Sequence, residues 1–140
     1  MSFGFGVGDI VTISQLAVKV YTAYKDAPED YRYISEEVEA LQVLIEGAEK
    51  HFKSTTISSD DLHKGQKVLK SCHSVLKDLN SLIEEYKSLA STNNRPIFTG
   101  VKFGTEDITT LRARLISNTG LLNGFIRRFY ISTLLFSILC

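Results

Sequence analysis

The sequence contains few imidazoles and thiols, the side chains that most often bind transition metals or take part in nucleophilic catalysis. The candidates are three histidines and two cysteines: His51, His63, His73, Cys72 and Cys140. None of them occurs in a paired Cys-x-x-Cys or His-x-x-x-His spacing, which brings metal ligands together. Cys72 and His73 are adjacent, so on a helix their side chains diverge by about 100° and the imidazole cannot activate the thiol. We therefore predict no metal site, no catalytic residue and no enzyme activity.

The glycine-rich segment Gly4–Gly8 does not have the context of a phosphate-binding loop. Such a loop follows a strand and is itself followed by Lys and then Ser or Thr, and this segment has neither. We expect no cofactor and no small-molecule substrate.

The composition is that of one globular domain. The chain has 140 residues, of which 44% are apolar and 23% charged, and this length can bury about two thirds of the unfolded surface. Sixteen basic residues balance sixteen acidic ones, so no net field favours nucleic acid or acidic membranes. Two cysteines, and no positive side chain before Lys19, favour a cytoplasmic protein without a signal peptide.

Four segments place apolar residues at alternating spacings of three and four, which is typical of helices that bury one face. They cover residues 10–27, 31–52, 62–86 and 108–129. Because no segment alternates like a strand, the sequence predicts an all-α fold, an antiparallel four-helix bundle. The short links from helix one to two and from two to three favour antiparallel neighbours.

Capping and helix-breaking residues separate these segments. Pro28 divides helices one and two, Ser58–Asp61 can cap helix three, and Ser91–Pro96 has the composition of a loop. The link 91–104 is predicted to be an ordered loop that lies against the bundle before the last helix. Its apolar residues are Ile97, Phe98, Val101 and Phe103.

One polar residue, Asn118, interrupts the apolar face of helix four. An unpaired buried amide costs about 1–3 kcal/mol. We therefore expect either a hydrogen-bond partner, with Gln15 as a candidate, or a rotation that leaves Asn118 half exposed.

Helix one is apolar on more than one face. Residues 1–18 carry a single charge, Asp9. Central burial is the simplest explanation for such a helix, and departure from the bundle into lipid is the alternative. In the alternative, two arginines add attraction to anionic lipid. The residues then expected at the membrane are Phe3, Phe5, Val7, Ile10, Val11, Leu16, Val18, Tyr21, Arg127 and Arg128.

Charge is distributed unevenly along the chain. Residues 29–49 hold seven acids and one base, and residues 112–140 hold four arginines and no acid. These segments can form adjacent faces of opposite sign, or the second can be a basic end that meets anionic lipid or an acidic partner. Four arginines, with Glu106 and Asp107 nearby, are too few to indicate nucleic-acid binding.

The final residues, 129–140, carry no charge but are fewer than the roughly 17 needed to span a bilayer as a helix. We expect their apolar side chains to be buried against the bundle, against a second copy or by a missing downstream region.

The sequence resembles the HeLo and HeLo-like domains that begin fungal STAND (NLR-like) proteins, a group also named after the azaphilone pigment cluster protein L. The resemblance covers residues 2–129 and leaves 130–140 as an apolar end or junction to a missing region. The matching segments are Ser2–Ile10, Leu16–Tyr21, Lys25–Asp30, Ile34–Val38 with Leu41, Cys72–Leu89, Phe103–Ile108 and Leu111–Leu115.

The resemblance implies an effector or signalling domain at the N-terminus of a receptor. Domains of this type are associated with cell death in fungal incompatibility and defence. It further implies self-association, and insertion of a segment from Ser2 to about Tyr24 into the plasma membrane on activation. A non-lytic adaptor that binds a partner helical domain is the alternative.

Overall fold

The computed structural model describes residues 7–27, 31–52, 59–90 and 107–139. These residues form four helices: α1 (Val7–Lys25), α2 (Tyr33–Phe52), α3 (Ser59–Ala90) and α4 (Ile108–Leu139). The part of the chain that is described contains no strand. The predicted all-α bundle is thereby confirmed, whereas the predicted loop at 91–104 lies outside the described residues.

Local hydrogen bonds account for the start of α4. The Asp107 carboxylate accepts a hydrogen bond from the Thr110 backbone N–H at 3.0 Å, and the Asp107 carbonyl accepts one from Leu111 at 3.0 Å. Asp107 therefore occupies the N-cap position and satisfies one of the otherwise unpaired amides of the first turn.

The four helices are arranged as two antiparallel pairs packed on each other. α1 contacts α2 and α3, and α4 contacts the same two helices, so the order around the bundle is α1, α2, α4, α3. The expectation that α2 and α3 are neighbours is wrong, because they lie across the diagonal. A short link fixes the direction of the next helix, but the packing of one pair on the other decides which helices touch.

Specific pairs establish the directions of α3 and α4. Asn118 donates to the Ser71 carbonyl at 3.3 Å, and Arg114 contacts Asp78 at 2.7 Å. The residue number rises in one helix as it falls in the other, so the two are antiparallel.

The pair α1 and α3 runs in parallel. Asp9 lies within electrostatic range of His73, and the Lys19 ammonium is 3.4 Å from the Glu84 carboxylate. Both numbers rise together along the pair. This direction brings the start of α1 to the same end of the bundle as the end of α4.

The core consists of the predicted apolar faces. Ile13, Val20, Leu41, Leu76, Leu79, Leu111 and Leu122 are among its almost fully buried members. Each such side chain stabilises the fold by about 1.5–3 kcal/mol relative to an exposed one.

Tyr24 anchors α1 to α3 inside this core. Its ring is fully buried, and its hydroxyl donates to the Leu79 carbonyl at 2.9 Å. Burial raises the pKa of Tyr24 well above its ordinary value, so the hydroxyl stays protonated and available as a donor.

Asn118 is half-buried and paired, and its partner is Ser71 rather than Gln15. Gln15 is exposed on α1, which lies across the bundle diagonal from α4. Both sequence-based expectations for Asn118, a partner and partial exposure, therefore hold together.

Substitution of Tyr24 by Phe tests the α1–α3 anchor. We expect the free energy of unfolding to fall by about 1 kcal/mol, because a buried hydrogen bond is lost while the ring still fills its place. Tyr21→Phe is the matched control, since Tyr21 is only partly buried and has no hydrogen bond to a described residue. Equal urea midpoints for the two variants would contradict the anchoring role.

Candidate functional site

Cys72, the cysteine among the described residues, is not placed for nucleophilic or metal chemistry. Cys72 is fully buried, and burial raises the pKa of its thiol to about 12. Its sulfur lies 4.0 Å from the backbone carbonyl of Asn118. A thiol that stays protonated is a poor nucleophile and a poor metal ligand. Within the described residues no group of three or more His, Cys, Asp or Glu could hold a metal ion.

α4 extends beyond its neighbours at one end of the bundle. Asn118 lies opposite Ser71 and Cys72, so the same antiparallel register places about residue 131 opposite Ser59, the start of α3. The remaining residues, up to Leu139, project about two turns past α3. α1 also begins at this end, which we call the docking end: the first turns of α1 together with residues 127–139 of α4.

The projecting turns of α4 expose large apolar side chains. Their exposed fractions are 52% for Ile131, 52% for Leu135, 70% for Ile138 and 81% for Leu139. Of the three ways in which the final segment was expected to be covered, burial against the bundle is wrong for Leu135, Ile138 and Leu139, because no described helix reaches that far. Burial by a second copy or by a downstream region stays a prediction. Spacings of four and three place Ile131, Leu135 and Ile138 on one face.

The four arginines of α4 divide into paired and unpaired sets. Arg112 contacts Glu37 of α2 at 2.8 Å, with its guanidinium 4.7 Å above the Tyr33 ring, and Arg114 contacts Asp78 of α3. Arg127 and Arg128 are exposed and form no ion pair with a described residue. Arg112 therefore belongs to a basic face that lies beside the acidic face of α2. This contact does not neutralise the positive charge of Arg127 and Arg128 at the docking end.

The predicted membrane-contacting residues of the N-terminal segment differ in their exposure. Val11 and Val18 are exposed, at 37% and 44%, and Leu16 and Tyr21 pack partly against the core. Ile10 is completely buried, so it cannot meet lipid while the bundle is folded. Phe3, Phe5 and the side chain of Val7 lie outside the described residues.

None of the four helices, over the residues that the structure describes, is long and apolar enough to cross a membrane.

A comparison of the chain with known protein families, curated proteins and solved structures found no match.

One charged feature of α3 was not among the sequence-based predictions. Residues 62–77 of α3 contain four lysines, two histidines and no acid. The signal was the absence of any acid between Asp61 and Asp78, which the zero net charge of the whole chain concealed.

Polar substitutions in the projecting turns test their independence from the core. We expect Leu135→Ser and Ile138→Ser each to change the free energy of unfolding by less than about 0.5 kcal/mol, because both side chains are already exposed. Leu122→Ser, in the buried part of the same helix, should lower it by more than about 3 kcal/mol. Thermal or urea unfolding measures all three. A loss at Leu135 comparable with that at Leu122 would show that the end of α4 is packed.

Proposed function

We propose that this protein is a helical effector or signalling module, of the kind that begins fungal STAND proteins, which engages an anionic membrane through its docking end. Oligomerisation then leads to cell death or signalling. The observation that carries the proposal is the placement, at one end of the bundle, of exposed apolar side chains beside arginines without ion partners.

The end of α4 supplies both components that interfacial binding needs. Ile131, Leu135 and Ile138 offer apolar area to the boundary between headgroups and acyl chains. Arg127 and Arg128 lie about one to three turns earlier, and each contributes about 1 kcal/mol near an anionic surface. Asp60, at the start of α3, pairs with Lys64 at 3.2 Å, which limits the repulsion from that helix.

α1 extends the contact without leaving the bundle. Val11 and Val18 are exposed on a helix whose buried face includes Ile10, Ile13 and Val20. Extracting α1 would expose these three residues at about 1.5–3 kcal/mol each, and typical domains have only about 5–15 kcal/mol of stability. This comparison favours docking of the folded bundle as the first step, with release of α1 only after a further event such as oligomerisation.

A non-lytic adaptor is the second candidate. The same face, Ile131, Leu135 and Ile138, has the spacing with which a helix packs into the groove of a partner helix. An adaptor of this kind has no requirement for lipid, so binding to anionic vesicles separates the two functions.

Vesicle co-sedimentation tests the membrane proposal. We expect the protein to bind vesicles of phosphatidylcholine and phosphatidylserine more strongly than vesicles of phosphatidylcholine alone. Val18→Glu should weaken binding while leaving the bundle folded, because Val18 is 44% exposed. Val43→Glu on α2 is the matched control, since Val43 is 63% exposed and lies on a helix to which the proposal gives no membrane contact.

Charge reversal at Arg127 and Arg128 should weaken binding further, and more at low salt than at high salt, because screening weakens the attraction. If the wild-type protein ignores anionic vesicles at every concentration tested, the membrane proposal fails and the adaptor takes its place. Equal losses for Val18→Glu and Val43→Glu would instead show that any added acid prevents binding, which removes the role assigned to α1.

A further inference from the structure

The basic stretch of α3 contains lysines that the fold does not neutralise. Lys64 pairs with Asp60 one turn away at 3.2 Å. Lys67, Lys70 and Lys77 form no ion pair with a described residue. No acid occurs three or four positions from Lys70 or Lys77 on either side, so α3 itself supplies no compensating pair.

Two of these lysines border a depression of about 220 Å³ on the surface of α3. Its lining residues are Lys70, His73, Ser74, Lys77 and Asp78. One water molecule occupies about 30 Å³ in the liquid, so the depression has room for a phosphate group and some of its hydration.

Helical geometry allows the lysines to converge on one ligand. Lys70 and Lys77 are two turns apart, a rise of about 10.5 Å, with His73 and Ser74 between them on the same face. Each ammonium ends a flexible four-carbon chain that can fold toward the middle of the depression. A group bound above His73 and Ser74 is therefore within reach of both.

The one acid that lines the depression is already paired. Asp78 contacts Arg114 of α4 at 2.7 Å, and Arg114 also donates to the Ser74 hydroxyl oxygen at 3.2 Å. The hydroxyl proton of Ser74 is then available to donate to a ligand. With Asp78 and Arg114 offsetting each other, the two lysines leave a positive charge in the depression.

We propose that this depression binds a phosphate monoester or a similar tetrahedral dianion through Lys70, Lys77, His73 and Ser74. The site lies on α3, outside the docking end, and the proposal does not depend on the proposed function. Free phosphorylated metabolites and phosphorylated lipid headgroups present the same chemistry.

His73 makes this binding dependent on pH. The pKa of His73 is lowered by partial burial and by Lys77, while Asp9 from α1 acts in the opposite direction. The other charged groups that face this region are Lys70 and Asp78 of α3 and Arg114 of α4. His73 is therefore neutral at pH 7 in the free protein, and a bound dianion raises its pKa by favouring the imidazolium.

Titration with inorganic phosphate, followed by the NMR signals of the depression, tests the site. We expect saturable shifts, with affinity about three- to tenfold lower in Lys70→Gln and in Lys77→Gln. Lys67→Gln is the matched control: it removes the same charge from the same helix but does not line the depression, and should change affinity less than about twofold.

Sulfate provides the pH test, because it remains a dianion where phosphate itself titrates. Its affinity should rise as the pH falls from about 8 to 6, and His73→Gln should remove this dependence. At pH 8, where His73 is neutral, Asp9→Asn should strengthen binding, since a neighbouring negative charge is lost.

Vesicles of phosphatidylcholine with phosphatidic acid distinguish the source of the phosphate. Dependence on Lys70 and Lys77 with inorganic phosphate supports a soluble ligand, and dependence seen only with these vesicles assigns the site to a lipid headgroup. An equal loss in Lys67→Gln would reveal diffuse attraction to α3 and overturn the site. Absence of any dependence on Lys70 and Lys77, in phosphate and on vesicles alike, would also overturn it.

Discussion

The packing of α1 against both α2 and α3 is the contact on which the arrangement of the bundle depends. The short link after Lys25 makes α1 antiparallel to α2, and the buried contact between Tyr24 and the Leu79 carbonyl ties it to α3. Once α1 and α3 run in parallel, α4 must run opposite to both. The start of α1 and the end of α4, which are far apart in the sequence, then lie at the same end of the molecule.

The helices themselves could be predicted because their signal is local. An apolar residue every three or four positions defines a buried face whatever the partner is, and Ile13, Leu76 and Leu122 are buried as that pattern predicts. The diagonal placement of α2 and α3 could not be predicted, since a short link constrains the direction of the next helix but not which helices it contacts. The exposure of Leu135 also could not, because it depends on where α3 begins relative to α4.

The sequence predicts which residues the candidate site contains, but not which of its charged residues form ion pairs. The sequence shows four arginines in α4, yet Arg112 is neutralised by Glu37, 75 residues away, and Arg127 is not. Likewise, helix one is apolar on more than one face, and only the positions of α2 and α3 show that Ile10 is buried while Val18 is exposed. Tertiary contacts thus decide which of the apolar and basic residues stay exposed and which arginines are neutralised.

The projection of α4 past α3 has a consequence for local stability. Helix growth from an existing turn needs no new nucleus, so residues 131–139 can continue the helix although no other helix supports them. Their backbone hydrogen bonds, however, open by local fraying, with a free energy far below that of global unfolding. These amides should therefore exchange with solvent before those of the packed part of α4. Any partner or surface that covers the projection will slow their exchange. The amide exchange rate at the end of α4 thus indicates whether this segment is covered.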